Sequence, residues 1–456
     1  MFHSRRRILR WGTAAFGLQL PQLLWAGKAA AESARPAARA KSVIVLYLSG
    51  GPSQLDMWDM KPQASEEIRG TFRPISTRVP GTQICEHLPR MAEVADKFTI
   101  VRSMTHDEAD HLRAGYWAMT GSRLLRPVAQ ASGMQRNDRP HLGAIVSSQL
   151  GPRQPELPGF VMVPEYVSPV GVARPGQHAG FLGAKFDPYL VASDPDSPSY
   201  NPGPITAGFG VPPERLSQVR SLLGDVERTT RVRGGSPSVD AFEQVRDEAF
   251  GLATSRAARE AFDLSRESTA TRDRYGRNTF GQSTLVARRL VEAGVRLVQV
   301  NFERHDNGKG GQGYDSHSVP PNPSHLGWAQ RELLPPTDAA FAALIEDLSD
   351  RGLLDETLVV LMGEFGRTPR FNEWGGRDHW PNCYSLVLAG GGVQPGGIYG
   401  ASDRIASTPT RDPVSPQDLL ATVYHLLGIQ REQILRDLEQ RPMPLCEGQP
   451  VLGLLA

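Results

Sequence analysis

Val43-Ile-Val-Leu-Tyr-Leu48 runs directly into Ser49-Gly50-Gly51-Pro52. Six apolar residues in a row, with no polar residue at alternate places, predict a strand buried on both faces, as strands of parallel sheets are. Glycines and a proline close it. Working outward, Phe98-Thr-Ile-Val101, Gly159-Phe-Val-Met-Val163, Val295-Arg-Leu-Val-Gln-Val300, Thr357-Leu-Val-Val-Leu-Met362 and Tyr384-Ser-Leu-Val-Leu-Ala389 read as further strands. Helices are predicted between them over 110–119, 140–150, 280–293, 326–350 and 416–427, and residues 237–268 are helical in character. In the stretch 326–350, Leu333, Leu334, Phe341, Leu344, Ile345 and Leu348 recur at helical spacing, and Gly294 and Gly352 stand where helices stop. This alternation predicts an α/β fold: a doubly wound, mostly parallel sheet with helices on both faces. Residues 164–235, rich in Pro, Gly, Ser and Asp, are expected to form an irregular insertion over the active face.

The amino-terminal end carries a different message. Ser4-Arg5-Arg6-Arg7-Ile8-Leu9-Arg10, an uncharged stretch over 11–26, and Ala29-Ala30-Ala31 follow in the order of a twin-arginine signal peptide. The expected organisation is a signal peptide over 1–31, a flexible leader over 32–41, and one domain over 42–456. Such a chain crosses by way of the twin-arginine translocase, already folded, to the periplasm or the outside. The stretch 11–26 is too short to span a bilayer and no later run is longer, so no permanent membrane span is expected. Without the five basic residues of the leader, 45 basic residues face 49 acidic ones, a net charge of about −4. That balance excludes the basic face of a nucleic-acid binder. Cys85, Cys383 and Cys446 lie far apart with no CxxC spacing, which excludes a disulfide framework and a zinc knuckle; Cys383 reads as a packed thiol.

Open α/β sheets bind ligands beyond the carboxyl ends of their strands. After the strand 43–48 comes Asp56. After 98–101 come Thr105, His106 and His111. After 295–300 come His305, Asp306, Asp315 and His317, and after 357–362 come Glu364, Arg367, Asp378 and His379. Carboxylates and imidazoles from four strand ends, with no thiolate, form the donor set of a divalent metal, zinc or manganese, as one or two ions. His87 and His425 lie in helix-like surroundings and read as structural. Gly50-Gly51-Pro52 lacks the spaced glycines and lysine of a nucleotide loop.

Long motifs also carry a family resemblance. Leu48-Ser-Gly-Gly-Pro-Ser-Gln-Leu-Asp56, Ile84-Cys-Glu-His-Leu-Pro89, Val101-Arg-Ser-Met-Thr-His106, Gly363-Glu-Phe-Gly-Arg-Thr-Pro369, Gly376-Arg-Asp-His-Trp-Pro381 and Leu388-Ala-Gly-Gly-Gly392 resemble the DUF1501 family over about 42–430. The resemblance implies an alkaline-phosphatase-like core of the sulfatase-like branch. It implies metal binding by Asp56, Asp315, His317, Glu364 and His379, with Asp378 beside the last. It also implies a nucleophile at Thr105, with Ser103 second. Glu364-Phe365 stands where that superfamily has Asp-His, so one nitrogen ligand is missing, and the formylglycine signature of arylsulfatases is absent.

The expected function is therefore a metal-dependent hydrolase of phosphate or sulfate esters. Its substrate would be anionic, from polysaccharide or envelope material. Helix amides after Thr105 would cradle the anion together with Arg102 or Arg367, and His106 or His111 would protonate the leaving group. The alternative is a non-catalytic exported binding or accessory protein that keeps the fold.

Overall fold

The computed structural model describes residues 38–126, 133–168, 172–203, 213–230, 246, 250–302, 313–318 and 326–456. The signal peptide over 1–31, most of the leader, His305, Asp306, residues 169–171, 204–212 and 231–235 of the insertion, and the start of the helical stretch 237–268 lie outside the described residues.

Eight strands form the main sheet: β1 (Ser42–Leu48), β2 (Phe98–Met104), β3 (Phe160–Val163), β4 (Tyr189–Leu190), β5 (Leu297–Phe302), β6 (Thr357–Met362), β7 (Tyr384–Ala389) and β8 (Gly397–Tyr399). Their order is β8-β2-β7-β6-β1-β5-β3-β4. Neighbours run parallel except at β7, which lies antiparallel between β6 and β2. The predicted strand over 43–48 is thus central, between β5 and β6. Alternate residues of β1 enter two separate cores. Ile44, Leu46 and Leu48 pack under α3 (Thr279–Ala293) and α4 (Leu334–Asp350). Val43, Val45 and Tyr47 pack under α1 (His111–Thr120), α2 (Leu142–Leu150) and α5 (Pro416–Leu426). A sheet covered on both faces is what the continuous apolar run called for.

The strand read over 98–101 runs on to Met104, and two further elements differ from their sequence reading for local reasons. The strand read over 295–300 is shifted to Leu297–Phe302. Gly294, at φ 113°, closes α3 with its N–H on Leu290 and Val291, and the N–H of Val295 also returns to Leu290, so two more residues finish the helix. The single helix read over 326–350 is divided into Leu326–Trp328, a π-turn at Ala329–Leu333, and α4. Pro335 and Pro336 have no N–H to continue an earlier helix and are suited to the first turn of a new one. The insertion is also less irregular than expected, since Pro213–Thr230 forms an 18-residue helix.

One polar seam runs through the apolar layer. His141 caps α2, its Nδ1 accepting from the N–H of Gly143 at 2.9 Å. Its Nε2–H therefore donates to Gln299 Oε1 at 2.8 Å, Gln299 Nε2 donates to Asn301 Oδ1 at 2.8 Å, and Asn301 Nδ2 donates to the Glu165 carbonyl at 2.6 Å. His141 is fully buried, and burial pushes its pKa down to about 3, so the ring stays neutral. Leu46, wholly buried in the central strand, reports on the core itself. Leu46→Ala is expected to cost about 2–5 kcal/mol, read as a lower midpoint in denaturant unfolding.

Candidate metal centre

The site lies beyond the carboxyl ends of β1, β5 and β6. After β1 the chain turns at Ser49, Gly50 and Gly51. A Cβ on Gly51 would meet the Phe365 ring at 2.6 Å, and its φ of +73° already suits glycine. Beyond β5, Tyr314 fixes the incoming segment. Its N–H donates to the Ser49 carbonyl at 2.7 Å, and its buried hydroxyl reaches the Leu333 carbonyl and Thr337. The next residues deliver Asp315 and His317. Gly376 lies so close to the His317 carbonyl that a Cβ there would meet it at 2.2 Å. After β6, Gly366-Arg367 pairs antiparallel with His379-Trp380, which sets His379 opposite Arg367. His111, the first residue of α1, arrives from the other face, held by the Asp110 N-cap.

One ligand atom from each of His111, Asp315, His317 and His379 falls within 4.8 Å of the other three. Asp315 Oδ1 is the hub. It lies 3.0 Å from His317 Nε2, 3.3 Å from His379 Nε2 and 3.3 Å from His111 Nε2. In each imidazole the other nitrogen is already committed. His111 Nδ1 is 2.6 Å from Glu364 Oε1, His317 Nδ1 is 2.9 Å from Asp378 Oδ1, and His379 Nδ1 is 2.6 Å from the Ala109 carbonyl. Those partners only accept, so all three Nδ1 atoms carry the hydrogen, and in its neutral form each ring turns an Nε2 lone pair inward. Two such lone pairs, on His317 and His379, stand 2.7 Å apart, and the buried Nε2 of His111 has no hydrogen-bond partner among the described residues. Lone pairs facing one another repel unless a proton or a cation lies between them. Imidazoles whose outer N–H is held by a carboxylate or carbonyl are the usual form of metal-ligating histidines. The donor set of three nitrogens and one carboxylate oxygen fits a divalent transition metal, zinc first among them.

The electrostatics are consistent with that placement. Burial opposes the charge of Asp315, but the His111, His317 and His379 imidazoles around it and the nearby Arg367 charge hold its carboxyl far below the usual carboxylate range. Arg367 Nη2 is 2.6 Å from Asp315 Oδ1. The same guanidinium binds the carbonyls of Gly50 and Gly51, tying the β1 turn to the hub. Glu364 is fully buried, yet His111 and the Arg174 charge lower its pKa to about 2. Its oxygens also accept from Tyr47 Oη and the Gly50 N–H, each at 3.0 Å. Burial lowers the pKa of His111, but Asp315 and Glu364 raise it further; Asp315 raises His317, and burial lowers His379. The Phe365 ring packs between His111 and His379, its centroid 4.7 Å and 4.6 Å from theirs.

Of the residues singled out from sequence, Asp315, His317 and His379 meet in the cluster, and His111 joins them as a fourth donor where a proton donor was expected. Glu364 and Asp378 stand behind the cluster and hold its imidazoles. Asp56 is elsewhere: Arg377 grips it through Nε at 2.8 Å and Nη2 at 3.1 Å, and Ser53 Oγ donates to it at 2.6 Å. The Thr105 hydroxyl donates to the Asn382 carbonyl at 2.9 Å. His106 accepts the Glu108 N–H at Nδ1 and donates from Nε2 to the Glu364 carbonyl at 2.8 Å, with burial keeping it neutral. Arg102 turns to the Trp58 carbonyl and Asp59. Sequence reasoning passed over Tyr47, which reads as one more apolar residue of its strand. It also passed over Arg174, whose Pro- and Gly-rich surroundings carry no motif. Cys383 is fully buried, with burial pushing its thiol up to about 12, as a packed thiol should be. Among the described residues no helix is long and apolar enough to cross a membrane.

A family model described as "Protein of unknown function (DUF1501)" matches residues 40–455. No curated protein matches the chain. Among solved structures, the lipoteichoic acid synthase LtaP from Listeria monocytogenes is similar at 11% identity and a TM-score of 0.39, over 87% of this chain and 74% of that one. The PsFucS1 sulfatase from Pseudoalteromonas sp. is similar at 12% identity and a TM-score of 0.36, over 89% and 70%. A protein in the alkaline phosphatase superfamily from Vibrio parahaemolyticus is similar at 11% identity and a TM-score of 0.35, over 88% and 75%. Likenesses this distant assign no activity to the chain.

If Glu364 orients His111, Glu364→Gln should keep the fold but weaken metal binding about 10- to 100-fold. Competition against a chelator of known affinity reads this directly; an unchanged affinity would mean that Glu364 has no part in holding the ligand.

Proposed function

The chain belongs to the DUF1501 family, and from that premise we propose that it is an exported, metal-dependent hydrolase of phosphate or sulfate esters built on a single metal ion. One observation carries the reading: three imidazoles, each with its outer N–H committed, turn their Nε2 atoms onto one carboxylate oxygen. His111, Asp315, His317 and His379 would hold the ion. A divalent ion there supplies Lewis-acid chemistry, polarising an ester oxygen and lowering the pKa of water. Glu364 and Asp378 keep His111 and His317 in the tautomer that binds it, and Arg367 tempers the charge of Asp315. Support for one ion rather than two comes from the remaining buried carboxylates, since Asp56 is taken by Arg377 and Asp59 by Lys61 and Arg102. The twin-arginine leader supports action in the periplasm or outside, on anionic esters of envelope or polysaccharide origin.

The site's own hydrogen bonds constrain the chemistry. Thr105 spends its hydroxyl proton on a carbonyl, so the nucleophile in this reading is water rather than a side chain. Neither His106 nor His111 has an uncommitted N–H to give a leaving group. Esters whose leaving groups depart as stable anions should therefore be preferred. Because general-acid help contributes about 10²- to 10⁴-fold, hydrolysis of nitrophenyl esters should exceed that of alkyl esters by about 10²-fold or more. The engagement of Thr105 also favours a second reading, a metal-binding protein without turnover.

Elemental mass spectrometry of the purified protein, beside His317→Ala and His379→Ala, tests the metal centre. About one zinc or manganese per chain, lost in both variants, is the expected result. Metal without hydrolysis of any phosphate or sulfate ester would select the second reading, and no metal in any preparation would remove the first.

A further inference from the structure

Arg174 lies in the segment that follows β3, away from every strand-end motif, yet its guanidinium reaches the metal centre. Nη1 stands 3.8 Å from Glu364 Oε1, too far for a hydrogen bond. That nitrogen is buried and has no hydrogen-bond partner among the described residues, although the side chain as a whole keeps 15% of its exposure. Glu364 does not need it, since Tyr47, Gly50 and His111 already occupy its oxygens. The Arg174 charge faces that of Glu364, but a buried N–H left without an acceptor costs stability, so its retention points to an acceptor that arrives with a ligand.

The backbone around it is held firmly. The Arg174 N–H donates to the Val167 carbonyl at 3.0 Å. Gln177, wholly buried, accepts from the Val167 N–H and donates from Nε2 to the carbonyls of Val167 and Arg174. Gly176 then rests on α1, the helix that begins with His111: a Cβ there would meet the Tyr116 ring at 2.9 Å. The guanidinium and the ligand His111 are thus referenced to the same helix. With a divalent ion in place, its charge and those of Arg174 and Arg367 outweigh the buried Asp315 and Glu364, which favours an anion over a neutral group.

We propose that Arg174 receives an oxygen of the substrate's tetrahedral oxyanion, phosphoryl or sulfuryl, beside the metal centre. This rests on the metal-dependent reading above and names the group that would select its substrate class. Arginine suits the role because it stays charged and presents several donors in one plane.

The test is calorimetric titration of the full mature chain with inorganic phosphate and, separately, with sulfate, in zinc-loaded and in chelator-stripped protein. Arg174→Ala should weaken binding of the preferred anion about 10- to 100-fold, the range expected for losing a charged hydrogen bond. Arg174→Lys should recover part of it, and both variants should keep the wild-type metal content and a melting temperature no lower than the wild type's. The larger loss between the two titrations tells phosphoryl from sulfuryl selection. Equal anion binding by wild type and Arg174→Ala overturns the proposal, as does a wild type that binds neither anion in either form. A protein without metal whose phosphate or sulfate binding still depends on Arg174 would remove the hydrolase reading and keep this one.

Discussion

Glu364 is a fully buried carboxylate at the end of the central strand β6, and an anion so placed persists only where donors replace its lost water. Tyr47 from β1, the Gly50 amide from the turn after it, and His111 from α1 supply those donors. The backbone carbonyl of the same residue accepts a hydrogen bond from His106 Nε2–H. One charge therefore draws together the central strand, its neighbour and the first helix of the opposite face. The orientation of His111 follows from it, and with that orientation the fourth corner of the cluster. The other imidazoles repeat the arrangement with weaker anchors, a half-exposed carboxylate for His317 and a carbonyl for His379.

The acidic residues of the rim divide according to the cation that answers them. Asp56 is matched by the buried, forked guanidinium of Arg377, and Asp59 by Lys61 and Arg102, so both are saturated by the protein itself. Asp315 receives Arg367 on one side but faces three nitrogen lone pairs on the other, which no side chain among the described residues resolves. The difference between a structural ion pair and a metal ligand at this rim is thus a matter of what remains unanswered after the arginines have been placed.

Much of the layout was legible in the residues. Continuous apolar runs such as 43–48 and 357–362 disclosed doubly buried strands, because burial on both faces erases the alternation that marks a half-exposed strand. From the strands followed the rim, and from the rim Asp315, His317 and His379. What stayed hidden depends on three-dimensional pairing. Asp56 sits where a ligand belongs in chain order, but Arg377, 321 residues away, claims it. His111 read as a proton donor at a polar helix start, and its place as a fourth donor of the cluster appears once Glu364 is beneath it. Phe365, read as the loss of a ligand, instead supports the rings of His111 and His379. Tyr47 was indistinguishable from its apolar neighbours until its hydroxyl was seen to have a partner.

The seam from His141 through Gln299 and Asn301 to the Glu165 carbonyl bears on how the chain assembles. Gln299 and Asn301 occupy alternate places on β5, so both face the same layer. A slip of one residue against β1 would turn them toward the opposite core, among apolar residues such as Leu46, Leu290 and Phe341, and strand several polar groups there without partners. A misregistered sheet would then be penalised at its centre. Since the Tyr314 N–H hangs on the Ser49 carbonyl just beyond β1, the strand against which β5 is aligned also sets the height at which Asp315 and His317 arrive.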